Sequence, residues 1–286
     1  MHAMLNIAIR AARAAGNIIV RYSDRVDRLT IAKKSFNEFV TQVDKQAEQT
    51  IVDTLSKAYP DHGILGEEGG YRKGNDYVWI IDPLDGTTNY IHGFPQFSIS
   101  IALAHKGRLE QALVYDPLRD ELFTATRGEG AKLNDRRIRV SKCDNIGDAL
   151  LGTGFPYQRL EQIDTYLSIF KIFLTTSVDI RRAGSAALDL ASVAAGRLDG
   201  FWEFGLRSWD MAAGALLIQE AGGMVNDPSE MDNHLESGNI IAGNPKIYSA
   251  MMRVIQSHEG SFYPRKSLSS EESLKSAKDM NKGQAQ

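Results

Sequence analysis

Two aspartates three residues apart form the part of this chain whose residue types and spacing could do chemistry. Asp82 and Asp85 follow the short apolar run 78–81, which turn residues bound and which therefore predicts a buried strand. Pro83 lies between the two acids and fixes one backbone angle, which lowers the entropy lost in holding both carboxylates together. We expect the strand to deliver two oxygen ligands across a stiffened turn.

The residues after this turn suit a phosphate group. Gly86 lets the backbone approach a ligand closely, and Thr87-Thr88 can open a helix whose first N–H groups favour an oxyanion. Mg²⁺ prefers carboxylate and carbonyl oxygens and usually keeps substrate phosphate among its ligands. An Asp-x-x-Asp-Gly fragment alone is equally typical of a surface turn, but the strand before it and the threonine pair after it favour a metal and phosphate site.

Three more acids stand where a metal site could recruit them. Glu67 follows the short apolar strand 64–65, and Asp210 opens the apolar helix 211–221. Asp44 begins the second helix of the chain. Each has a simpler explanation as well, because turns carry solvated acids and the first turn of a helix favours acids that cap it or oppose its dipole. None of the three is diagnostic by itself.

Composition argues against several other classes of function. The chain has 286 residues, 43% of them apolar, and a net charge of −3, so it offers no general electrostatic attraction to DNA or RNA. Its single cysteine, Cys143, excludes an internal disulfide and a thiolate metal cluster, and it favours a reducing cytoplasm. The six histidines lack the spacing of zinc ligands.

The N-terminal segment admits two interpretations. Arg10, Arg13 and Arg21 precede the first acid, as in a transit peptide. A helical stripe favours a packed first helix instead, and its members are Leu5, Ala8, Ile9, Ala12, Gly16, Ile19 and Val20. No fully apolar run approaches the roughly 18 residues needed to span a bilayer, so we expect no membrane association.

Hydrophobic periodicity divides the chain into two halves. Two N-terminal helices precede short strands and turns that predict an antiparallel sheet up to about residue 140, and strand–helix alternation begins near residue 148. In this second half, helices are expected near 160–175, 186–196 and 209–221 and after Pro245. We therefore predict an α+β sub-domain over residues 1–145 and an α/β sub-domain over residues 146–257.

The segment 258–286 is predicted to be a disordered tail, because it is rich in Ser, Lys, Glu and Gln and has few apolar side chains. Deletion after Ser257 should then leave the melting temperature and any activity nearly unchanged, since little surface is buried there. Thermal melts, activity assays and light scattering of full-length and truncated protein test this. Unfolding, loss of activity or a change of oligomeric state on truncation would contradict the prediction.

Three motifs, in this order, resemble the inositol monophosphatase family. They are residues 66–68 (GEE), 79–89 (WIIDPLDGTTN) and 209–214 (WDMAAG). Residues 4–8 (MLNIA) and 182–190 (RAGSAALDL) are similar to its bacterial SuhB-type branch. The resemblance covers residues 1–256 and leaves the tail out.

The resemblance implies a layered αβαβα sandwich, of mixed α+β and α/β class, as in the inositol monophosphatase and fructose-1,6-bisphosphatase superfamily. It also implies two or three Mg²⁺ ions per site. Glu67, Asp82 and the carbonyl of Leu84 would hold the first ion. Asp82, Asp85 and Asp210 would hold the second, and a weaker third would be associated with Glu67. Metals sharing carboxylates, about 4 Å apart, can flank both the attacking and the leaving oxygen of an in-line displacement.

Catalytic roles follow from the same resemblance. The nucleophile would be a water made acidic by the metal. Thr87, polarised by Asp44, would orient this water, and Glu67 would contribute. Backbone N–H groups of Gly86 and Thr87 would bind phosphate oxygens, and no covalent phosphoenzyme would form.

The implied substrate is a small phosphate monoester such as inositol monophosphate. The residues expected around its polyol are Asp85, Gly184, Ser185, Ala186, Glu203 and Asp210. Glu203 could instead be a solubilising acid on an edge strand. The family's lysine near the metals corresponds to Lys33, with Lys34 beside it as an alternative. Inhibition by lithium and a homodimer are implied as well.

Two rival functions stay open. Fructose-1,6-bisphosphatases and nucleotide phosphatases of the same superfamily share the 82–87 core, although Glu203 and the 184–186 turn favour inositol phosphate. Bacterial relatives of the branch are linked to transcription antitermination, which implies a protein or RNA partner in the transcription machinery. The sequence contains no interaction motif for such a partner.

Overall fold

The computed structural model describes residues 2–23, 31–35, 38–157, 159–229 and 233–258, and of residues 31–35 and 38–40 the backbone alone. The side chains of Lys33 and Lys34 lie outside this described part, as does the predicted tail from residue 259 onward. The predictions made for them stay predictions.

Two helices, α1 (Ala3–Ser23) and α2 (Gln42–Ala58), form the first layer, and the antiparallel hairpin of β1 (Ile31–Ser35) and β2 (Glu38–Thr41) lies between them in sequence. The buried face of α1 consists of Leu5, Ala8, Ala11, Ala12, Ala15, Gly16 and Ile19. The predicted stripe was wrong at Val20, which is exposed, and it missed Ala11 and Ala15. Small side chains dominate this face, so α1 can pack close to its neighbours.

Helix α1 is the one described helix that is long and apolar enough to cross a membrane. This is weak evidence for a membrane span, because the core helix of a globular protein passes the same test. The apolar face of α1 packs on α2 and on the sheet beneath it.

An eight-stranded sheet forms the second layer. Its strands are β3 (Gly63–Gly66), β4 (Gly70–Arg72), β5 (Tyr77–Asp85), β6 (Ser98–His105), β7 (Arg108–Asp116), β8 (Glu121–Thr126), β9 (Gly130–Leu133) and β10 (Arg136–Arg137), in the spatial order β10-β9-β8-β7-β6-β5-β3-β4. All neighbours pair antiparallel except β3 and β5, which are parallel. Trp79 and Ile81 face α1 and α2, whereas Ile80 faces the opposite layer. Burial on both faces explains the continuous apolar run of β5.

A second, five-stranded sheet contains β11 (Leu150–Thr153), β12 (Asp179–Arg181), β13 (Gly200–Glu203), β14 (Met224–Asn226) and β15 (Ile240–Gly243), ordered β12-β11-β13-β15-β14. The helices of the chain from residue 86 onward are α3 (Thr87–Ile91), α4 (Ile163–Thr176), α5 (Ala186–Ala194), α6 (Ser208–Glu220), α7 (His234–Ser237) and α8 (Pro245–Gln256). The four predicted helices of this half are thus present, with α4 starting three residues later than expected.

Helices α5 and α6 fill the space between the two sheets, and α4 and α8 cover the outer face of the second sheet around Trp202 and Ile241. The order of layers is therefore helix, sheet, helix, sheet, helix, which confirms the predicted αβαβα sandwich. Strands β1–β10 precede residue 146 and β11–β15 follow it. Because α5 and α6 pack on both sheets, the division into two sub-domains stays a prediction.

Candidate active site

A β-bulge at the end of β5 turns its two aspartates to the same side of the sheet. Asp82 pairs with Ser100 and Asp85 with Ser98, so β5 holds one residue more than β6 over this stretch. Residues three apart in a regular strand point to opposite faces, and the extra residue removes this difference. Asp82 is buried, and its Oδ1 accepts a hydrogen bond from the backbone N–H of Leu84 at 2.9 Å.

Asp85 reaches across to the start of α5. Its Oδ2 accepts hydrogen bonds from the Ser185 hydroxyl at 2.5 Å and from the Ala187 backbone N–H at 2.8 Å. The side-chain amide of Asn89 donates to the carbonyls of Gln96 and Ala183 at 2.8 and 2.9 Å. These contacts join the end of β5, the short helix α3 and the turn before α5 into one cluster.

Glu67 lies beside Asp82 because its own backbone N–H donates to the carbonyl of Ile81, at 3.2 Å. The turn that carries Glu67 is supported by the buried carboxylate of Glu48, a residue of α2. Glu48 accepts the N–H groups of Glu68 and Gly69 at 2.9 and 2.6 Å. No motif in the sequence indicated this role for Glu48.

Asp210 enters the cluster from the first turn of α6. Its Oδ2 accepts the backbone N–H of Arg207 at 2.7 Å, so the residue caps the helix as the simpler interpretation expected. Burial is the main cause that raises the pKa of Asp210, and the residue lies close enough to Asp85 and Glu67 for their charges to raise it further. The two interpretations of Asp210 are therefore compatible.

The four acids influence one another strongly. The pKa of Asp82 is raised well above its usual value, first by burial and then by the charges of Glu67, Asp85 and Asp210. Burial is also the main cause that raises the pKa of Asp85 to about 6, opposed by its hydrogen bonds to the start of α5. Like charges gathered in a poorly solvated place favour either protons or a bound cation.

Within the described part of the chain, no three His, Cys, Asp or Glu side chains converge tightly enough to form a ready-made metal centre. Carboxylates without a cation repel one another, and a cation between them would remove this repulsion. Every donor at this strand end is an oxygen, which suits Mg²⁺ better than zinc.

A threonine at the start of α3 stands next to the acids. The Thr87 hydroxyl lies 3.0 Å from Asp44 Oδ1 and 3.0 Å from the Leu84 carbonyl, so it has two acceptors for one proton. The other oxygen of Asp44 accepts the N–H and hydroxyl of Thr41, which closes the capping box of α2. Asp44 therefore caps a helix and contacts Thr87 at the same time.

Gly86 must be glycine at this position. Its φ is +95°, which residues with a side chain rarely adopt, and a Cβ there would lie 2.8 Å from the Gln96 carbonyl oxygen. The chain can then turn sharply, so the first N–H groups of α3 follow the acids directly. Those groups have no acceptor inside the helix and can serve an anion.

A cavity of about 130 Å³ opens beside these groups. The predicted residues Asp85, Gly184, Ala186, Glu203 and Asp210 line it. Ser185 is buried behind them and caps α5. A larger cavity of about 410 Å³ lies between α2 and the β3–β4 hairpin, behind the Glu67 turn, and none of Asp82, Asp85 or Asp210 lines it.

The Glu203 carboxylate lies against the backbone of Gly154, where an added Cβ would be only 2.0 Å from it. Burial, followed by the charges of Asp189 and Asp210, raises the pKa of Glu203 well above its usual value. Strand β13 pairs with β11 and β15 on its two sides, so Glu203 is not an edge-strand acid. That alternative interpretation is wrong.

Five residues that line the cavity received no role from the sequence: Thr153, Gly154, Arg182, Asp189 and Leu206. Arg182 and Asp189 fall within the motif 182–190, which was the one available signal. The other predicted site residues with described side chains all lie at or beside the end of β5.

The comparison with known proteins agrees with this architecture. The inositol monophosphatase family matches residues 1–261, and the chain belongs to that family. The Nus factor SuhB of Pseudomonas aeruginosa is 56% identical over 264 residues, covering 90% of this chain and 97% of that protein. The chain is therefore a SuhB-type member of the family, as the sequence resemblance predicted.

Solved structures of similar proteins support the same fold and family. The extragenic suppressor protein SuhB from Bartonella henselae superposes with a TM-score of 0.87 at 45% identity, covering 89% of this chain and 99% of that one. An inositol monophosphatase from Anabaena superposes with a TM-score of 0.80 at 40% identity, covering 88% and 95% of the two chains.

Proposed function

We propose that the chain is a Mg²⁺-dependent phosphomonoesterase that hydrolyses inositol monophosphate or a similar polyol phosphate. The observation that carries this is the meeting of Glu67, Asp82, Asp85 and Asp210, from three separate parts of the chain, at the end of β5. Family membership supports phosphatase chemistry, and the Anabaena relative is called an inositol monophosphatase.

The oxygen donors fit two or three Mg²⁺ ions. Glu67, Asp82 and the Leu84 carbonyl would hold one ion, and Asp85 and Asp210 would join Asp82 around another, while a third would depend on Glu67. Bound Mg²⁺ supplies positive charge for the phosphate and makes a water more acidic. Lys33 stays a candidate contact near the ions.

The chain's own residues orient the reactants. Thr87 accepts a hydrogen bond from the attacking water while its hydroxyl proton points to Asp44, and Glu67 helps to hold that water. The N–H groups of Gly86 and Thr87 bind phosphate oxygens, and the polyol occupies the cavity lined by Gly184, Ala186 and Glu203. Catalysis then consists of positioning and charge neutralisation, without a covalent phosphoenzyme.

A substrate panel with Mg²⁺ tests the proposal. We expect the highest kcat/KM with inositol monophosphate and lower values with fructose 1,6-bisphosphate and with 3′-phosphorylated nucleotides. A preference for either of the latter would support the superfamily alternatives, and hydrolysis of none of them would overturn the proposed activity.

Glu48 provides a prediction about metal affinity. In Glu48→Gln one of the two accepting oxygens becomes an NH₂ group that opposes a backbone N–H, so the turn carrying Glu67 loses its support. The half-saturating Mg²⁺ concentration should rise about tenfold, while kcat at saturating Mg²⁺ is largely kept.

Mg²⁺ titrations of activity measure the shift expected for Glu48→Gln. The exposed Glu161→Gln serves as the matched control and should leave the titration unchanged. An unchanged half-saturation in Glu48→Gln would mean that this buried carboxylate does not position Glu67.

A second role rests on a different observation, namely that the relative from Pseudomonas aeruginosa is called a Nus factor. We infer that this chain also has a partner in the transcription machinery. A pull-down with wild-type protein and Asp85→Asn separates the two roles. Retention by both proteins supports independent functions, and loss in Asp85→Asn would link binding to the metal site.

The remaining family expectations are a homodimer, a cytoplasmic location and inhibition by lithium. The single cysteine, Cys143, supports a reducing compartment, and no disulfide is available to it within the chain. Light scattering tests the dimer, cell fractionation tests the location, and activity with added LiCl tests the inhibition.

A further inference from the structure

Four acids line the 130 Å³ cavity, and the proposed chemistry leaves one of them, Asp189, without a role. Asp189 lies on α5, one turn after Ser185, and only 4% of its surface is exposed. That residue is nevertheless part of the cavity lining. Among the described residues, the charge of Arg182 favours the ionised form of its carboxyl, and no hydrogen bond contributes to its pKa.

A buried carboxyl without a donor is costly, because it has lost its hydration and gained no replacement. Because Asp189 lines the cavity, a molecule that enters the cavity can supply the donor. Buried acids that support the fold usually accept backbone N–H groups, as Glu48 does from Glu68 and Gly69.

Two further groups share this cavity with Asp189. Glu203 approaches from β13 and lines the same cavity, where burial and then the charge of Asp189 raise its pKa. Arg182 completes the set, with its guanidinium carbon 5.2 Å from the ring centre of Phe155 and 5.3 Å from that of Tyr157. These rings hold the cation in place without using its N–H donors.

We propose that Asp189 is a specificity residue that accepts hydrogen bonds from the hydroxyl groups of the substrate, together with Glu203, and so selects phosphate esters of polyols. Asp189 on α5 and Glu203 on β13 can each accept a hydrogen bond from a neighbouring hydroxyl, and Arg182 can donate a hydrogen bond to a hydroxyl oxygen. The proposal rests on the proposed phosphatase function, since it concerns the alcohol part of the same substrate.

The expected selectivity follows from the unpaired acid. A polyol ester satisfies the Asp189 carboxyl, whereas an ester without free hydroxyls leaves it buried and unpaired. A purely structural role, such as balancing the charge of Arg182, would instead affect all esters alike. The ratio of the kcat/KM values for a polyol ester and for an ester without hydroxyls therefore distinguishes the two roles.

The experiment compares myo-inositol 1-phosphate with 4-nitrophenyl phosphate, in Mg²⁺, for wild type, Asp189→Ala and Asp189→Asn. In Asp189→Ala, kcat/KM for the inositol ester should fall by about 10- to 100-fold. The value for the nitrophenyl ester should stay within about threefold of wild type. Asp189→Asn keeps the volume and one accepting oxygen, so it should show a smaller change in the same direction.

The exposed Asp164→Asn is the control and should leave both values unchanged. Free myo-inositol should also inhibit Asp189→Ala less strongly than wild type, because the lost contact is to the alcohol. Melting curves show whether Asp189→Ala and Asp189→Asn fold. If one of them does not, the comparison of the two esters is made with the other.

Equal losses with both esters, or no change with either, would overturn the role of Asp189 and leave the proposed phosphatase intact. If wild-type protein hydrolyses neither ester, the proposed function fails and the role of Asp189 falls with it. The two failures are therefore distinguishable.

Discussion

EDTA should abolish phosphatase activity, and added Mg²⁺ should restore it. Without cations, the carboxylates of Glu67, Asp82, Asp85 and Asp210 present negative charge to a negatively charged phosphate, and burial strengthens the repulsion. A bound divalent ion contributes several kcal/mol of stabilisation to such a transition state, so we expect a loss of about 10³-fold or more. Activity measured after dialysis against EDTA, and again after adding back metals, gives the result.

The choice of the metal that is added back tests which kind of ligand holds the ion. The donors are oxygens without a thiolate or imidazole among them, so Zn²⁺ should substitute poorly and Ca²⁺ should bind while supporting little turnover. Lithium added to the Mg²⁺ enzyme should inhibit. Full activity in EDTA would remove the central proposal, and better rescue by Zn²⁺ than by Mg²⁺ would mean that other ligands hold the ion.

The layered fold was predictable because its buried strands carry continuous apolar runs. β5 and β6 are covered by helices on both faces, and their apolar runs at residues 78–81 and 99–103 indicate this burial in the sequence. Strands that lack such burial were missed. β4 and β10 are exposed throughout and have no apolar period, so their pairing depends on neighbours that are distant in the chain.

Details of register and packing were not predictable from local sequence. The parallel pairing of β3 with β5 depends on the path of the intervening chain, and the buried face of α1 includes Ala11 and Ala15, which the predicted stripe left out. The bulge that turns Asp82 and Asp85 to one side also has no signature in composition, because it depends on pairing with β6.

For the candidate site, the motif residues were predictable and their supports were not. Asp82 and Asp85 lie at the expected strand end, whereas Glu48 contacts a turn 20 residues away in sequence, and Asp189 lines the same cavity as Asp85. Long-range contacts of this kind follow from the packing of layers. Asp44 and Asp210 each cap a helix and also belong to the candidate site, so one interpretation did not exclude the other.

Asp85→Asn should lose metal affinity and activity together. The substitution removes a full charge next to Asp82 and Asp210 while keeping the size of the side chain. We expect metal affinity to fall by about 100-fold or more, since a ligand matters at least as much as the groups that support it. Calorimetric titration with Mg²⁺ or Mn²⁺ measures the affinity, and steady-state kinetics at high Mg²⁺ measure the remaining activity.

Thr87→Ala should behave differently, because the Thr87 hydroxyl contacts Asp44 and the Leu84 carbonyl and carries no charge. Metal affinity should stay close to wild type, while kcat falls by about 10²- to 10³-fold through the loss of water orientation. The neighbouring, exposed Thr88→Ala is the matched control for helix propensity and should change neither quantity. Equal losses of metal affinity in Asp85→Asn and Thr87→Ala would contradict this division of roles. Thr87 would then act by supporting the Leu84 carbonyl as a metal ligand, and the orientation of water would have to come from Glu67 alone.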